Sequence, residues 1–373
     1  MKYYIITGEA SGDLHASNLI KELMKKDENA SFRGWGGDLM QNQGVELVRH
    51  YRDLAFMGFT EVLLNLNSIF QNIKFCKKDI VSFNPDLIIL VDYPGFNLRI
   101  AEFASNLHFK VVYYISPQIW AWKQSRVKKI KKYVDKMLVI LPFEKEFYSK
   151  HHYAVEFVGH PLLDVIEPET NSSALLMNDF RDKHSLDEKP IIALLPGSRK
   201  QEISAVLKII TSMVDKFTDY QFIIGAVSSI EQSFYTSLLD GKDVKIIFDD
   251  TYSLLKLAYA AIVTSGTATL ETALFGVPQV ICYKGGFFSY QIAKRIVNVK
   301  FIGLVNLIMD RKIVVELIQS DLNEANLHKE LKAIIEDQPK RMEISRHYKA
   351  LRDKLGGAGA SKRAAEEIVR TIA

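Results

Sequence analysis

The segment 262–284, IVTSGTATLETALFGVPQVICYK, constrains the fold of this chain more than any other stretch. Residues 261–264 read as a strand, Ser265, Gly266 and Thr267 as a turn of small residues, and the positions up to Phe275 as a helix stopped by Gly276. Pro278 then opens another strand. A strand, helix and strand in so few residues form a crossover unit, and crossovers join parallel strands. The helix N-terminus leaves backbone N–H groups unpaired, and no bulky side chain here would keep a diphosphate from them. Thr267 and Thr269 add hydroxyls at this seat, and Glu271, one turn in, could accept from both hydroxyls of a ribose. An ordinary capped crossover has the same pattern, so both readings stand on these residues alone.

The same grammar recurs along the chain. Residues 3–7 form a strand that runs into GEASGD at 8–13 and then a helix at 14–26. Such a loop lies where open α/β sheets bind ligands, although it does not match G-x-G-x-x-G. Glu9, Ser11, Asp13 and His15 crowd polar chemistry there, with an N-cap at Ser11 or Asp13 as the structural alternative. Gly34, Gly36 and Gly37 repeat the strand-to-glycine-to-helix pattern. In segment 84–97, five apolar residues from Leu87 to Val91 carry the chain through a sheet and deliver Asp92 at its ligand edge. Pro94 and Gly95 fix the turn that follows, so Asp92 is placed like a general base, or caps the next helix. Further on, a strand ends in GSRKQEI at 197–203, where Gly197 and Ser198 offer donors and Arg199 a fixed guanidinium for a diphosphate. Asn306, just past Gly303, reads on its own as a turn or cap residue.

At 373 residues the chain is long for one core. Periodicity is lost over 165–189, which predicts two doubly wound α/β units: 1–164 and 190–340, joined by that linker. Amphipathic helices over 341–373, broken by GGAGA at 356–360, are expected to brace the first unit or exchange with a partner chain.

Surface and compartment follow from a few features. A hydrophobic fraction of 48% with 25% charged residues describes a soluble globular chain, with no signal peptide pattern and no apolar run of spanning length. Cys76 and Cys282 lie far apart and read as free thiols in a reducing cytoplasm. The formal charge of +4 does not imply nucleic acid, and no binding module for it is visible. The densest basic run, Lys123, Arg126, Lys128, Lys129, Lys131, Lys132 and Lys136, is opened by Trp120 and Trp122. It reads as a solvated helix face or as a dock on anionic lipid. Met57, Phe59, Leu63, Leu66 and Phe70 give 53–75 a broad apolar face, either core or a groove for an acyl chain.

Taken in order, GEASGD (8–13), MGFTEVL (57–63), PQIWAWKQSRVKKI (117–130), LPFEKEFY (141–148), FVGHPLLD (157–164), LLPGSR (194–199), SGTATLE (265–271) and NLI (306–308) resemble the lipid-A-disaccharide synthases. These are glycosyltransferases of GT-B fold, with two Rossmann-like domains facing a central cleft. The resemblance runs to about residue 320 and implies transfer of 2,3-diacylglucosamine from UDP to the 6-hydroxyl of 2,3-diacylglucosamine 1-phosphate (lipid X). The family's essential aspartate falls on Asp92, its pyrophosphate arginine on Arg199, its nucleotide-loop glutamate on Glu271, its N-terminal glutamate on Glu9 and its asparagine on Asn306. The family's second aspartate, two residues after the proline, is absent, since Gly95 and Phe96 follow Pro94. Val305 stands where a proline usually precedes the asparagine, and Gly303 where serine is common.

The resemblance further implies an inverting enzyme needing no metal or cofactor, with Asp92 as base and Glu9 or His15 as rival claimants. Ser198, Arg199 and the N–H groups of 265–269 would clamp the departing UDP. The acylated substrates suggest a cytoplasmic protein held peripherally on the inner membrane by the apolar face and basic helix, and a homodimer is compatible. A UDP-N-acetylglucosamine transferase acting on a lipid-linked peptidoglycan precursor, a UDP-sugar epimerase and a non-enzymatic nucleotide-sensing adaptor are the rival readings. The GEASGD and WAW blocks speak against the first, and an adaptor would not need Asp92.

Overall fold

The computed structural model describes residues 1–54, 66–122, 124–166, 174–286 and 300–372. They form two units, Met1–Val165 with Leu355–Ala373, and Ile166–Lys354. The first is built on seven parallel strands: β1 (Lys2–Ile6), β2 (Ser31–Gly36), β3 (Glu46–His50), β4 (Leu87–Val91), β5 (Lys110–Tyr114), β6 (Lys136–Val139) and β7 (Glu156–Phe157). Their spatial order is β3-β2-β1-β4-β5-β6-β7. A parallel strand with helices on both faces must be apolar throughout, and LIILV of β4 is buried at every position.

The second unit has six parallel strands: β8 (Ile191–Leu195), β9 (Gln221–Ala226), β10 (Lys245–Phe248), β11 (Ala258–Thr264), β12 (Gln279–Tyr283) and β13 (Val315–Ile318). Their order is β10-β9-β8-β11-β12-β13. In each sheet the strand order therefore reverses beside the unit's first strand, between β1 and β4 and between β8 and β11. The crevice beyond the strand ends at such a reversal is where open α/β sheets take ligands. The loops carrying Glu9, Asp92, Arg199 and Ser265 all leave those four strands.

Two sequence expectations shift. The first helix spans Ala10–Met24, so Ser11 and Asp13 sit inside its first turn and Glu9 occupies the cap position. The C-terminal helices do not act together. Gln338–Lys354 belongs to the second unit, and only Leu355–Ala373 joins the first. Arg352 and Lys354 explain the first part, donating to the carbonyls of Leu274 (3.1 Å) and Ile308 (2.6 Å), in the last turns of two helices. Cations are favoured at such ends.

The glycine run then lets the chain turn sharply, with φ of 91°, 67° and 90° at Gly356, Gly357 and Gly359. The returning helix Ala360–Ile372 is received by the FVGHPLLD segment: Asp164 accepts from the N–H groups of Gly359 (2.6 Å), Ala360 (3.0 Å) and Ser361 (2.7 Å). Arg363 donates back to the Val158 carbonyl (2.8 Å). Replacing Asp164 by alanine strips a helix start of its cap, and is expected to cost about 2 kcal/mol in chemical denaturation of the full chain, with Asp164→Asn costing less.

Candidate active site at the sheet switch points

In the first unit the site grows from the ends of β1 and β4. Asp92 and Tyr93 both have left-handed backbone, φ 44° and 49°. Left-handed conformation in non-glycine residues costs of the order of 1–3 kcal/mol each and persists only where neighbours enforce it. One enforcing contact is steric. A Cβ on Gly8 would lie 2.3 Å from the Tyr93 ring, so the two loops interlock only because residue 8 has no side chain. The Tyr93 ring stacks in turn on Phe96, with centroids 5.4 Å apart.

Asp92 is half-buried there. Desolvation, and then the nearby Glu9 carboxylate, push its carboxyl up to about 7, while the Tyr93 N–H partly offsets them. Glu9 is also half-buried, with one oxygen accepting from the Ser11 hydroxyl at 2.7 Å. A carboxyl of raised proton affinity beside a second carboxyl is a common arrangement for acid–base work.

His15 stands apart from this pair. It is buried on the helix Ala10–Met24, and burial lowers its imidazole to about 4 despite the Asp164 carboxylate. Its neighbour His160 is lowered to about 3 by burial and by His15 itself. A neutral imidazole so reluctant to take a proton is a weak base, and its neighbours belong to the seam that receives the C-terminal helix. Asp13 is structural, accepting from the N–H groups of Gly37 (2.8 Å), Leu39 (3.1 Å) and Met40 (3.1 Å).

In the second unit the loops after β8 and β11 leave neighbouring strands. Gly197 is half-buried, while Ser198 and Arg199 are exposed. Arg199 starts the helix Lys200–Thr211 and pairs with Glu202 at 3.1 Å. Gly266 and Thr267 are exposed, and a Cβ at Gly266 would meet nothing within 4 Å, so the start of the helix Thr267–Leu274 is open. Ser265 uses its hydroxyl on the Ile302 carbonyl (2.9 Å), which shapes the turn. Glu271 accepts from the Tyr252 hydroxyl at 2.9 Å, and burial raises its carboxyl above the ordinary value.

Two expected nucleotide contacts are corrected. Thr269 is fully buried and turns its hydroxyl onto the Gly266 carbonyl at 2.8 Å. Asn306 is fully buried too, and its whole carboxamide is spent internally. It donates to the Val314 carbonyl and Glu316 carboxylate (both 2.9 Å) and accepts from the N–H groups of Ile313 (2.7 Å) and Val314 (3.0 Å). With both amide hydrogens and both oxygen lone pairs engaged, this side chain brackets the loop.

The expected membrane-facing set also divides. Trp120 is buried, edge-on to Phe143 with centroids 5.0 Å apart, which removes it from an interfacial role. It packs beside Glu144, a buried carboxyl pushed up to about 7 by desolvation. Glu144 caps the helix Pro142–Ser149 through the N–H groups of Ile140 (3.2 Å) and Leu141 (2.9 Å). The LPFEKEFY block carries only the glutamate half of a capping box, because Leu141 at the cap position has no side-chain acceptor. Arg126 is half-buried, whereas Lys128 and Lys129 are exposed, the latter paired with Glu102 at 3.0 Å. Phe70 is 56% exposed. Met57, Phe59, Leu63 and Lys123, with the side chains of Leu66 and Trp122, lie outside the described residues.

The family model for lipid-A-disaccharide synthetase matches residues 3–372. A lipid-A-disaccharide synthase from Geobacter metallireducens is 38% identical over 374 aligned residues, covering 99% of this chain and 96% of its own. Among solved structures, UDP-GlcNAc 2-epimerase from Neisseria meningitidis bound to UDP-GlcNAc superposes with a TM-score of 0.69 at 12% identity, covering 99% of this chain and all of that one. The calicheamicin glycosyltransferase CalG4 gives 0.62 at 15% identity, over 100% of this chain and 98% of that one. These likenesses establish the two-domain, Rossmann-like GT-B fold.

Two loop glycines, one in each unit, are expected to behave differently. Gly8→Ala should cost more than about 2 kcal/mol, because its methyl enters the Tyr93 ring, while Gly266→Ala should stay within about 0.5 kcal/mol. Thermal unfolding of the two variants measures the contrast.

Proposed function

Because the chain belongs to the lipid-A-disaccharide synthase family, we propose that it moves 2,3-diacylglucosamine from UDP to the 6-hydroxyl of lipid X, with Asp92 as the base. The acceptor oxygen attacks C1 of the donor sugar as the bond from C1 to the diphosphate oxygen breaks. The hydroxyl proton passes to the Asp92 carboxylate, and the electron pair of the broken bond leaves on UDP. Attack opposite the leaving group inverts C1 and gives a β-1,6 disaccharide.

The observation that carries this reading is the state of Asp92, a strained, half-buried carboxyl with a proton affinity near neutrality at a sheet switch point. Such a group is ionised in part at working pH and still binds a proton strongly, as general base catalysis needs. Glu9 contributes by making loss of that proton harder, and so the carboxylate more basic. For the leaving group, Arg199 and the open N–H groups at Gly266 and Thr267 supply positive charge where the diphosphate gains negative charge. Glu271, steadied by Tyr252, is suited to accept from ribose hydroxyls. The UDP-GlcNAc-bound epimerase of like fold supports a UDP-sugar donor.

Peripheral membrane association completes the proposal. A groove of about 560 Å³ lies against the helix Leu66–Phe83, floored by Ile73 and Phe103 and flanked by exposed Phe70 and Val81. Lys74, Lys77 and Lys78 rim it, with the Lys77 ammonium 5.0 Å from the Phe103 ring. Apolar surface edged by lysines suits an anionic amphiphile. Among the described residues no helix is long and apolar enough to cross a membrane.

Three outcomes are expected. Asp92→Asn should lower kcat by about a hundredfold or more with KM little changed, read as disaccharide formed from UDP-diacylglucosamine and lipid X; turnover within tenfold of wild type would remove Asp92 as base. The same variant should be more stable than wild type at pH 8 and no more stable at pH 3. A carboxyl whose folded proton affinity is raised stabilises the fold below about pH 4, and that contribution is lost as pH rises through about 7. After allowance for solvent access the gain at pH 8 is about 1–2 kcal/mol. Binding to anionic vesicles should weaken with salt and on charge reversal at Lys74, Lys77 and Lys78, and sedimentation indifferent to both would exclude this face.

A further inference from the structure

Asn97 lies in the first turns of the helix Pro94–Asn106, fully buried, and its side-chain amide points at three main-chain carbonyls. Nδ2 is 2.8 Å from the Asp92 oxygen, 3.2 Å from that of Val91 and 3.4 Å from that of Ile6. Ile6 and Val91 are the last residues of β1 and β4, the strands on either side of the switch point. One side chain thus grips both strand ends and the residue that turns away from them. Its orientation is fixed by charge, because the flipped amide would set an oxygen against three carbonyl oxygens. Asn97 Oδ1 is buried with no partner among the described residues, so the amide is held by its donors alone.

The Asp92 carbonyl takes a second donor, the hydroxyl of Tyr113, which is fully buried on β5. Two donors on one carbonyl fix the plane of the peptide joining Asp92 to Tyr93. The N–H of that peptide is the one whose nearby positive end favours the Asp92 carboxylate. The backbone grip is thereby transmitted to the side chain. Neither the aspartate nor the following tyrosine would choose two successive left-handed conformations unaided.

We propose that Asn97 is a positioning residue for the transfer reaction, holding Asp92 in the left-handed turn that keeps its carboxylate beside Glu9. Tyr113 is the auxiliary donor in the same grip. Asn97 itself touches no reacting atom, and the inference rests on the reading of Asp92 as base. The groups that bear on the Asp92 carboxylate are Glu9 from the β1 loop, the Tyr93 N–H and Tyr113 from β5, and Arg126 acts on Tyr113 from beyond it.

The test compares Asp92→Asn, Asn97→Ala and Tyr113→Phe, with kcat, KM for the UDP-sugar and the acid limb of kcat/KM as readouts. In Asn97→Ala the freed turn relaxes toward solvent. The expected result is kcat about thirtyfold lower, KM within about threefold, and an acid limb moved at least one pH unit below its wild-type midpoint near 7. Tyr113→Phe, which keeps the ring in the core, should move both quantities the same way by less, and it decides the matter if Asn97→Ala does not fold. If both folded variants keep the wild-type acid limb, Asn97 is merely structural and the inference is overturned. An active Asp92→Asn would instead defeat the base assignment, so the two failures are distinguishable.

Discussion

A parallel strand can be buried on both faces only if it is apolar along its length, which pushes every polar group it carries to its ends. The chemistry of this chain depends on that constraint. β4 is five buried apolar residues, so the first polar side chain available on leaving it is Asp92 at the carboxyl edge. β8 and β11 do the same for the Arg199 and Ser265 loops. Because each sheet reverses its order beside its first strand, each edge lies at the switch point of its own sheet.

What happens at the edge depends on desolvation. Asp92 and Glu144 both reach about 7 through burial, yet the surroundings give them different work. Glu144 is fully enclosed and one of its oxygens accepts from two main-chain N–H groups, so its role is a cap. Asp92 is half-open, faces a second carboxylate, and sits on backbone held in an unfavourable conformation. A raised proton affinity is therefore informative only together with exposure and strain. His15 makes the opposite point, since full burial outweighs the nearby Asp164 carboxylate and keeps the imidazole neutral.

Several motifs that look functional prove to be structural. Asn306 spends its carboxamide on four hydrogen bonds to three residues, Asp13 caps the next helix, and Asp164 caps the returning one. Each lies near a site, and each acts by holding loops in register. Asn97 bridges the two categories, because what it holds is the backbone of Asp92, the proposed base.

The sequence by itself determined the alternation of apolar runs, glycine turns and helices, and with it two doubly wound α/β units. It also determined that Asp92, Arg199 and the Ser265 turn stand at strand ends, because side-chain period and turn chemistry are local properties. Tertiary structure alone decided which polar residues remained available. The Trp120 indole, the Thr269 hydroxyl and the Asn306 amide are spelled like interface and ligand residues, but burial and internal hydrogen bonds consume them. It also decided where the C-terminal helices go, splitting them at Leu355. Partners distant in sequence, such as Gly8 with Tyr93, Asn97 with Ile6 and Asp164 with Ser361, meet only when the sheet and its covering helices are assembled. Hydrogen-bond satisfaction and proton affinity depend on those meetings, so neither could be read from the order of residues along the chain.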